Sequence, residues 1–316
     1  MRAIVTGGAG FIGSYLVDKL LYEGNSVTVV DNMSCGCLEN LRHHSGNSNL
    51  IIQNEDIKNA EKLDCIFAGH DVVFHLAAHA NIRRSFVDHR ADLDNNVIGT
   101  LNVLEAMCKN EIQDLVFASS SAVYGEATAR PTSEDYSPIQ TSLYGASKLA
   151  CEAYAEAYTE ISSIRFWAYR FSNVIGERCR RGVIWDFVHK LSNNPSKLEI
   201  LGDGKQSKEY LHAQDCVNGM ITGHRKATGK VNIFNLGVEE QTLVDKVADI
   251  VIEEMGLKNI KRSYTGGPRG WIGDNPVVEL SLERIKKLGW RQSVPSEEAI
   301  RRTVRWTLEH KSDRPS

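Results

Sequence analysis

Apolar residues fall along this chain in two alternating rhythms. Short runs of four or five, bounded by polar or glycine-rich turns, alternate with longer stretches in which they recur every three or four positions. The first run, Arg2 to Val5, leads through Thr6-Gly7-Gly8-Ala9-Gly10-Phe11-Ile12-Gly13-Ser14 into a helical pattern carried by Leu16, Val17, Leu20 and Leu21. Strand-like runs follow at Ser26 to Val30, Leu50 to Gln53, Val72 to Leu76 and Leu115 to Ala118, with helical periodicity from Asn95 to Met107 and from Tyr144 to Ile161. Strands alternating with helices predict an α/β fold built on a parallel, doubly wound sheet. In such a sheet ligands bind beyond the carboxyl ends of the strands. Further on, Val183 to Leu191, Leu243 to Met255 and Pro295 to Glu309 read as helices, with Leu243, Val247, Ile250 and Val251 facing inward. The tail from Lys311 is polar and reads as frayed.

Composition narrows the class. A chain of 316 residues, 42% hydrophobic and 24% charged, is that of a globular protein with a large core. A net charge of −3 with interspersed signs gives no reason to propose nucleic acid or an anionic membrane as partner. No apolar run approaches the roughly 18 residues of a membrane span, and Met1 leads into a strand rather than a signal peptide, so a cytoplasmic location is expected. The seven scattered cysteines read as reduced thiols. His43-His44, His75, His79 and His212 have no ligand partners at a recognisable metal spacing and read as structural or solvent-facing, so no metal is implied.

Candidate chemistry clusters at the carboxyl ends of the predicted strands. Gly7, Gly10 and Gly13 sit in a strand–turn–helix context, where absent side chains let backbone amides approach a pyrophosphate at the helix N-terminus. Asp31 ends the second strand, at the position from which a carboxylate accepts from the 2′-hydroxyl of NAD and repels the 2′-phosphate of NADP. Ala77-Ala78 are small enough for close passage of a cofactor, and Ser119-Ser120-Ser121 bring hydroxyls to the same rim. Strand-end serines also serve as plain caps. Tyr144 and Lys148 stand one helical turn apart. A phenol with a reference pKa near 10 becomes a useful base only if a neighbouring charge favours the phenolate, and Lys148 is the candidate.

These motifs together resemble the NAD-dependent epimerase/dehydratase family, the extended short-chain dehydrogenase/reductases. The resemblance is carried by T-G-G-A-G-F-I-G-S at Thr6 to Ser14, Asp31-Asn32, Asp56-Ile57, His75-Leu76-Ala77-Ala78, Asn95-Asn96-Val97, S-S-S-A-V-Y-G at Ser119 to Gly125, Tyr144-x-x-x-Lys148, and Arg170 to Gly176. It implies a Rossmann-type NAD-binding domain over residues 1–175, with returning segments near 205–240. Residues 176–316 would mainly build a smaller, discontinuous domain for a nucleotide-sugar.

The resemblance also implies roles. Ser120, Tyr144 and Lys148 would be catalytic: Ser120 holds the sugar 4-hydroxyl, Tyr144 is the acid/base, and Lys148 holds the nicotinamide ribose while lowering the tyrosine pKa. The cofactor site would comprise Gly7, Gly10, Phe11, Ile12, Gly13, Asp31, Asn32, Asp56, Ile57, Leu76, Ala77, Ala78, Asn96, Ser119 and Phe171, besides Tyr144 and Lys148. His79, Ser120, Ser121, Tyr144, Asn173, Arg180, Val183, Lys208 and Arg269 would face the substrate. Arg180 or Arg181 would reach a phosphate or a C6 carboxylate, and Arg269 is the preferred phosphate clamp over Lys208. Relatives with 4,6-dehydratase activity carry an Asp-Glu pair directly after the catalytic Ser/Thr; here those positions are Ser121 and Ala122, which disfavours dehydration. That leaves 4-epimerisation of a nucleotide-sugar, with UDP-glucose/UDP-galactose the commonest expectation and N-acetylhexosamine or uronic forms next. A net oxidoreductase and a non-catalytic NAD-binding regulator are the competing classes. A homodimer is expected through the helices around Asn95 to Met107 and Tyr144 to Ile161, with Ala150, Ala153, Tyr154 and Ala157 on the packing face.

Overall fold

A computed structural model describes residues 1–311; the remainder of the polar tail lies outside the described residues. Strands β1 (Arg2–Thr6), β2 (Ser26–Val30), β3 (Leu50–Gln53), β4 (Val72–His75), β5 (Asp114–Ser120) and β6 (Arg165–Phe171) form in the order of the apolar runs. Between them lie α1 (Phe11–Tyr22), α2 (Ala60–Phe67), the short α3 (Ile82–Ser85), α4 (Gly99–Lys109) and α5 (Leu143–Ile161). The second half supplies β7 (Asn173–Ile175), α6 (Val183–Asn193), β8 (Lys197–Ile200), β9 (Ser207–Lys208), β10 (Tyr210–His212), α7 (Ala213–Lys226) and β11 (Val231–Leu236). It closes with β12 (Thr242–Leu243), α8 (Val244–Glu254), β13 (Lys261–Tyr264), α9 (Glu283–Lys287) and α10 (Ser296–Glu309).

Seven strands make one parallel sheet in the order β11-β6-β5-β4-β1-β2-β3. Strand order reverses between β1 and β4, which opens the crevice at their carboxyl ends where a dinucleotide binds in such folds. Apart from the exposed edge strand β3, the sheet is buried on both faces, with successive side chains alternating between them. On β1, Ala3 and Val5 pack with Leu16, Val17 and Leu20 of α1, whereas Ile4 packs on the other side with Leu63, Phe67 and Leu104. A separate apolar cluster, including Phe187, Val188, Leu198, Val247, Val251 and Ile300, holds α6, α8, α10 and β8 together as a smaller lobe.

Two sequence expectations are corrected here. The periodicity from Asn95 begins inside a π-helical turn, Leu93–Ile98, and only from Gly99 does regular α-helix run. Leu243 belongs to the two-residue strand β12 and is 45% exposed, so it does not face the core with Val247, Ile250 and Val251. The sheet also extends beyond the strands read from apolar runs, because β6 and β11 pair in register from Phe166 with Val231 to Phe171 with Leu236.

Candidate functional site

The dinucleotide crevice is shaped by two close backbone approaches. Gly7 adopts φ +69°, and a Cβ there would lie 2.7 Å from the Ala77 amide nitrogen. A Cβ on Gly13 would stand 2.1 Å from Gly7 O. Glycine is therefore required at both positions to seat α1 against β1 and β4. A Cβ on Gly10 would meet only Gly7 O, at 3.1 Å, so that side of the turn is open. Gly10 is also the N-cap of α1 and offers no side-chain cap, which leaves the first helical amides to receive an anion.

Asp31 braces this turn. Its carboxylate accepts from the amides of Ala9 at 3.0 Å and Met33 at 2.9 Å. Burial nonetheless pushes the Asp31 pKa up. Asn32 donates to Asp56 Oδ2 at 2.9 Å, and buried Ile57 fills the space left by Gly99. Leu76, Ala77 and Ala78 are half-buried along the turn, with the Ala77 amide on Thr6 Oγ1 at 3.2 Å. An open glycine turn, an uncapped helix start and a buried carboxylate beside them fit a dinucleotide.

The reacting centre forms where β5 ends and α5 begins. Ser142 caps α5 by accepting from the Gly145 amide at 3.0 Å, placing Tyr144 in the first helical turn. Tyr144 and Ser120 line the same cavity. Ser120 Oγ accepts from the Ala122 amide at 3.1 Å, so the serine caps the 3-10 turn Ser121–Tyr124. Burial pushes the Tyr144 pKa up, while the Arg181 charge and the nearby Ser120 hydroxyl pull against it. One expectation is adjusted: the cation that chiefly opposes burial is Arg181, from a distant loop. Lys148 is 3% exposed, donates from Nζ to Ala118 O at 2.8 Å, and lies 4.6 Å from the centre of the Phe117 ring. Burial pulls its pKa down to about 8.

Around this pair the π-helical turn positions Asn96. Its amide nitrogen donates to Ser147 Oγ at 2.8 Å and to His79 O at 3.1 Å, and its oxygen accepts from the His79 amide at 2.7 Å. The His79 ring bonds Asp92 through Nδ1 at 2.8 Å, while its Nε2 is buried and without a protein partner. His75 is a structural residue: it is fully buried between Thr6 and Thr100, and burial pulls its pKa down to about 3. Ser119 reaches the rim, but its hydroxyl donates to buried Glu152, which is paired with Arg170 at 2.7 Å. Ser121 is half-buried at the start of the 3-10 turn.

A cavity of about 1040 Å³ opens from this centre toward the smaller lobe. Phe11, Ile12, Phe171, Asn173 and Val183 contribute to its wall alongside Ser120 and Tyr144. The two candidate arginines part company. Arg180 lines the cavity but is buried, with Nη1 3.0 Å from Asn40 Oδ1 and its guanidinium 5.0 Å from the Trp306 ring, so it also ties the lobe to the loop after Asp31. Arg181 is exposed at the mouth, 3.4 Å from Ala80 O. Likewise Lys208 lies on the wall, paired with Asp274 at 2.7 Å, whereas Arg269 pairs with Glu126 and lies off it. The preference for Arg269 over Lys208 does not match this arrangement. Arg83 and Trp271 face each other on the wall at 5.6 Å. No sequence pattern joins that pair, because only the fold brings the two loops together.

Comparison with known proteins agrees with this geometry. The model of the NAD dependent epimerase/dehydratase family matches residues 3–237. A UDP-glucose 4-epimerase of Mycolicibacterium smegmatis is 32% identical over 311 residues, covering 96% of this chain and 97% of that protein. A solved UDP-galactose 4-epimerase superposes with a TM-score of 0.87 at 36% identity, covering 98% of this chain and 99% of that one. A UDP-N-acetylglucosamine 4-epimerase from Methanobrevibacter ruminantium superposes at 0.89 with 30% identity, covering 98% of each chain. A family-model match over most of the chain, relatives above 30% identity and near-complete coverage lead to one conclusion: this chain belongs to the NAD-dependent epimerase/dehydratase family, with NAD as its cofactor.

Proposed function

We propose that the protein is a nucleotide-sugar 4-epimerase of the UDP-glucose/UDP-galactose type. The observation that carries this reading is that Ser120 and Tyr144 share the wall of one cavity, with Lys148 one helical turn on from Tyr144 in α5, while Ser121 and Ala122, which follow Ser120, offer no acid or base for eliminating water. NAD, when bound, supplies a hydride acceptor that returns what it takes. Ser120 orients the sugar 4-hydroxyl; Tyr144 as phenolate removes its proton and as phenol restores it. Arg181 favours the phenolate through its charge, and Lys148 would hold the nicotinamide ribose. Glycine-turn amides at the start of α1 would hold the cofactor diphosphate, and Asp31 would accept from its ribose. Asn173 and Lys208 face the nucleotide diphosphate of the substrate.

The similarity to an N-acetylglucosamine-acting enzyme sets the main alternative within this reading. Purified protein, without added cofactor, is incubated with UDP-glucose, UDP-galactose, UDP-N-acetylglucosamine and UDP-glucuronate, and the products are separated by chromatography. Reversible conversion of one sugar to its C4 epimer, abolished in Tyr144→Phe, names the substrate. Accumulated NADH in place of an epimer makes the protein a net oxidoreductase. Bound NAD with no conversion of any sugar sinks the UDP-sugar reading.

A homodimer belongs to the same proposal. Ala153, Tyr154 and Ala157 of α5 are exposed, so this face of the helix is not covered within the chain. Sedimentation velocity tests it: a monomer at micromolar concentration removes the dimer.

A further inference from the structure

On the outer side of α1, two consecutive imidazoles converge on one carboxylate oxygen. His43 Nε2 and His44 Nε2, at the end of the 3-10 turn Leu38–His44, each lie 2.8 Å from Asp18 Oδ1. The two ring centroids are 4.1 Å apart, and the three donor atoms fall within 4.8 Å of one another. The other carboxylate oxygen is already committed: Arg178 Nη1 holds Asp18 Oδ2 at 2.8 Å. Arg178 is in turn fixed by Ser14 Oγ at 3.1 Å and by the Tyr15 ring at 4.9 Å. One oxygen is thus clamped from behind while its neighbour is presented to both histidines.

We propose that Asp18, His43 and His44 form a binding site for a divalent transition-metal cation, with Zn²⁺ the best fit. Two imidazole nitrogens and a carboxylate oxygen are a zinc donor set, and hard cations such as Mg²⁺ or Ca²⁺ disfavour imidazole. Metal–ligand bonds of about 2.0–2.2 Å in a tetrahedral set hold donors about 3.3 Å apart. The present 2.8 Å spacing therefore has to open by about half an ångström. Side-chain exposures of 48% for His43 and 28% for Asp18 leave room for that movement and for a water as fourth ligand. The Arg178 clamp plays the part of the outer partner that orients a ligating carboxylate.

The site lies outside the reacting centre, and the inference does not rest on the proposed reaction. Its structural consequence follows from the turn it would staple. Leu38–His44 also carries Asn40, which donates to Ala9 O at 2.9 Å and accepts from Arg180. A bound ion would fix the outer wall of the glycine turn to α1.

The test uses tag-free, chelator-treated, NAD-loaded protein titrated with Zn²⁺ by calorimetry and with Co²⁺ by absorption. The expected result is one ion per chain, with affinity about tenfold or more weaker in His44→Ala and lost in the His43→Ala/His44→Ala pair. Exposed Cys35 and half-exposed Cys37 are the rival ligands. Binding should survive Cys35→Ser/Cys37→Ser, and the Co²⁺ spectrum should lack a thiolate charge-transfer band. Zn²⁺ should raise the thermal midpoint of the unaltered protein, by less in His44→Ala, and not at all in the double histidine variant. His44→Gln, which keeps a hydrogen-bond donor toward Asp18, guards against a folding defect by leaving the metal-free midpoint unchanged. Absence of binding, binding unchanged in the double histidine variant, or a thiolate band would each overturn the site and leave Asp18 a hydrogen-bond acceptor only.

Discussion

Tyr144 carries a conflict that its neighbours resolve. Burial pushes its pKa up, and Arg181 and Ser120 pull against burial. Removing the cation raises the phenol pKa, so the phenolate forms at higher pH. In Arg181→Gln the rising limb of log kcat/KM against pH is predicted to shift toward higher pH, measured on the converted sugar. A limb in the same place would remove Arg181 from the tuning of the base. Tyr144→Phe deletes the proton carrier itself, with an expected loss of about 10²- to 10⁴-fold in kcat and NAD still bound. Lys148 supplies a second residue-scale prediction. Burial lowers its pKa in the folded protein to about 8, below lysine's ordinary value near 10.4. Between those values the unfolded chain binds the extra proton, so the contribution of Lys148 to stability rises with pH through that window. Lys148→Met should abolish this rise in NAD-free protein, followed by urea unfolding at pH 7 to 10; an unchanged slope refutes the assignment.

Among the elements, the β1–α1 turn and the start of α5 were legible because their signals are local. A strand, a glycine triplet and an amphipathic helix stand next to one another in sequence, and Tyr144 and Lys148 stand one helical turn apart, whereas the Ser142 cap emerged only from the structure. Gly13 gives the element-scale prediction. A methyl group there would lie 2.1 Å from Gly7 O, a contact that only backbone movement relieves. Gly13→Ala should cost about 1–3 kcal/mol and strip NAD from the purified protein, read by urea unfolding and by absorbance of released cofactor. Normal NAD content at wild-type stability would show that the turn tolerates the methyl group. The π-helical turn at Leu93–Ile98 was not legible: apolar periodicity near 3.6 does not report the extra residue that swings Asn96 toward His79 and Ser147.

For the molecule as a whole, one buried ion pair links the sheet to the active-site helix. Arg170 on β6 makes three contacts to Glu152 on α5, at 2.7, 3.1 and 3.2 Å, and reaches Tyr124 and the Glu134 carbonyl. Glu152 also receives the Ser119 hydroxyl at the cavity rim. Arg170→Met leaves a carboxylate buried without its cation and should destabilise the fold by about 3–5 kcal/mol. Adding Glu152→Gln should recover part of that loss in a double-mutant cycle. Strict additivity would show that the two residues are not coupled.

Sequence alone determined the doubly wound sheet, the glycine turn, Asp31 at the end of the second strand, and the placement of Ser120 at the end of β5 and of Tyr144 and Lys148 one turn apart in α5. Each of these rests on spacing within one or two neighbouring elements, where backbone geometry converts residue order directly into position. The tertiary structure decided the rest. It turned Arg180 inward to Asn40 and left Arg181 at the mouth, put Lys208 on the cavity wall and Arg269 off it, and brought Asp18 under His43 and His44. Those outcomes depend on which loops meet across the crevice and which charged groups find partners there. Such pairing is set by packing and desolvation between segments far apart in the chain, and no local pattern encodes it.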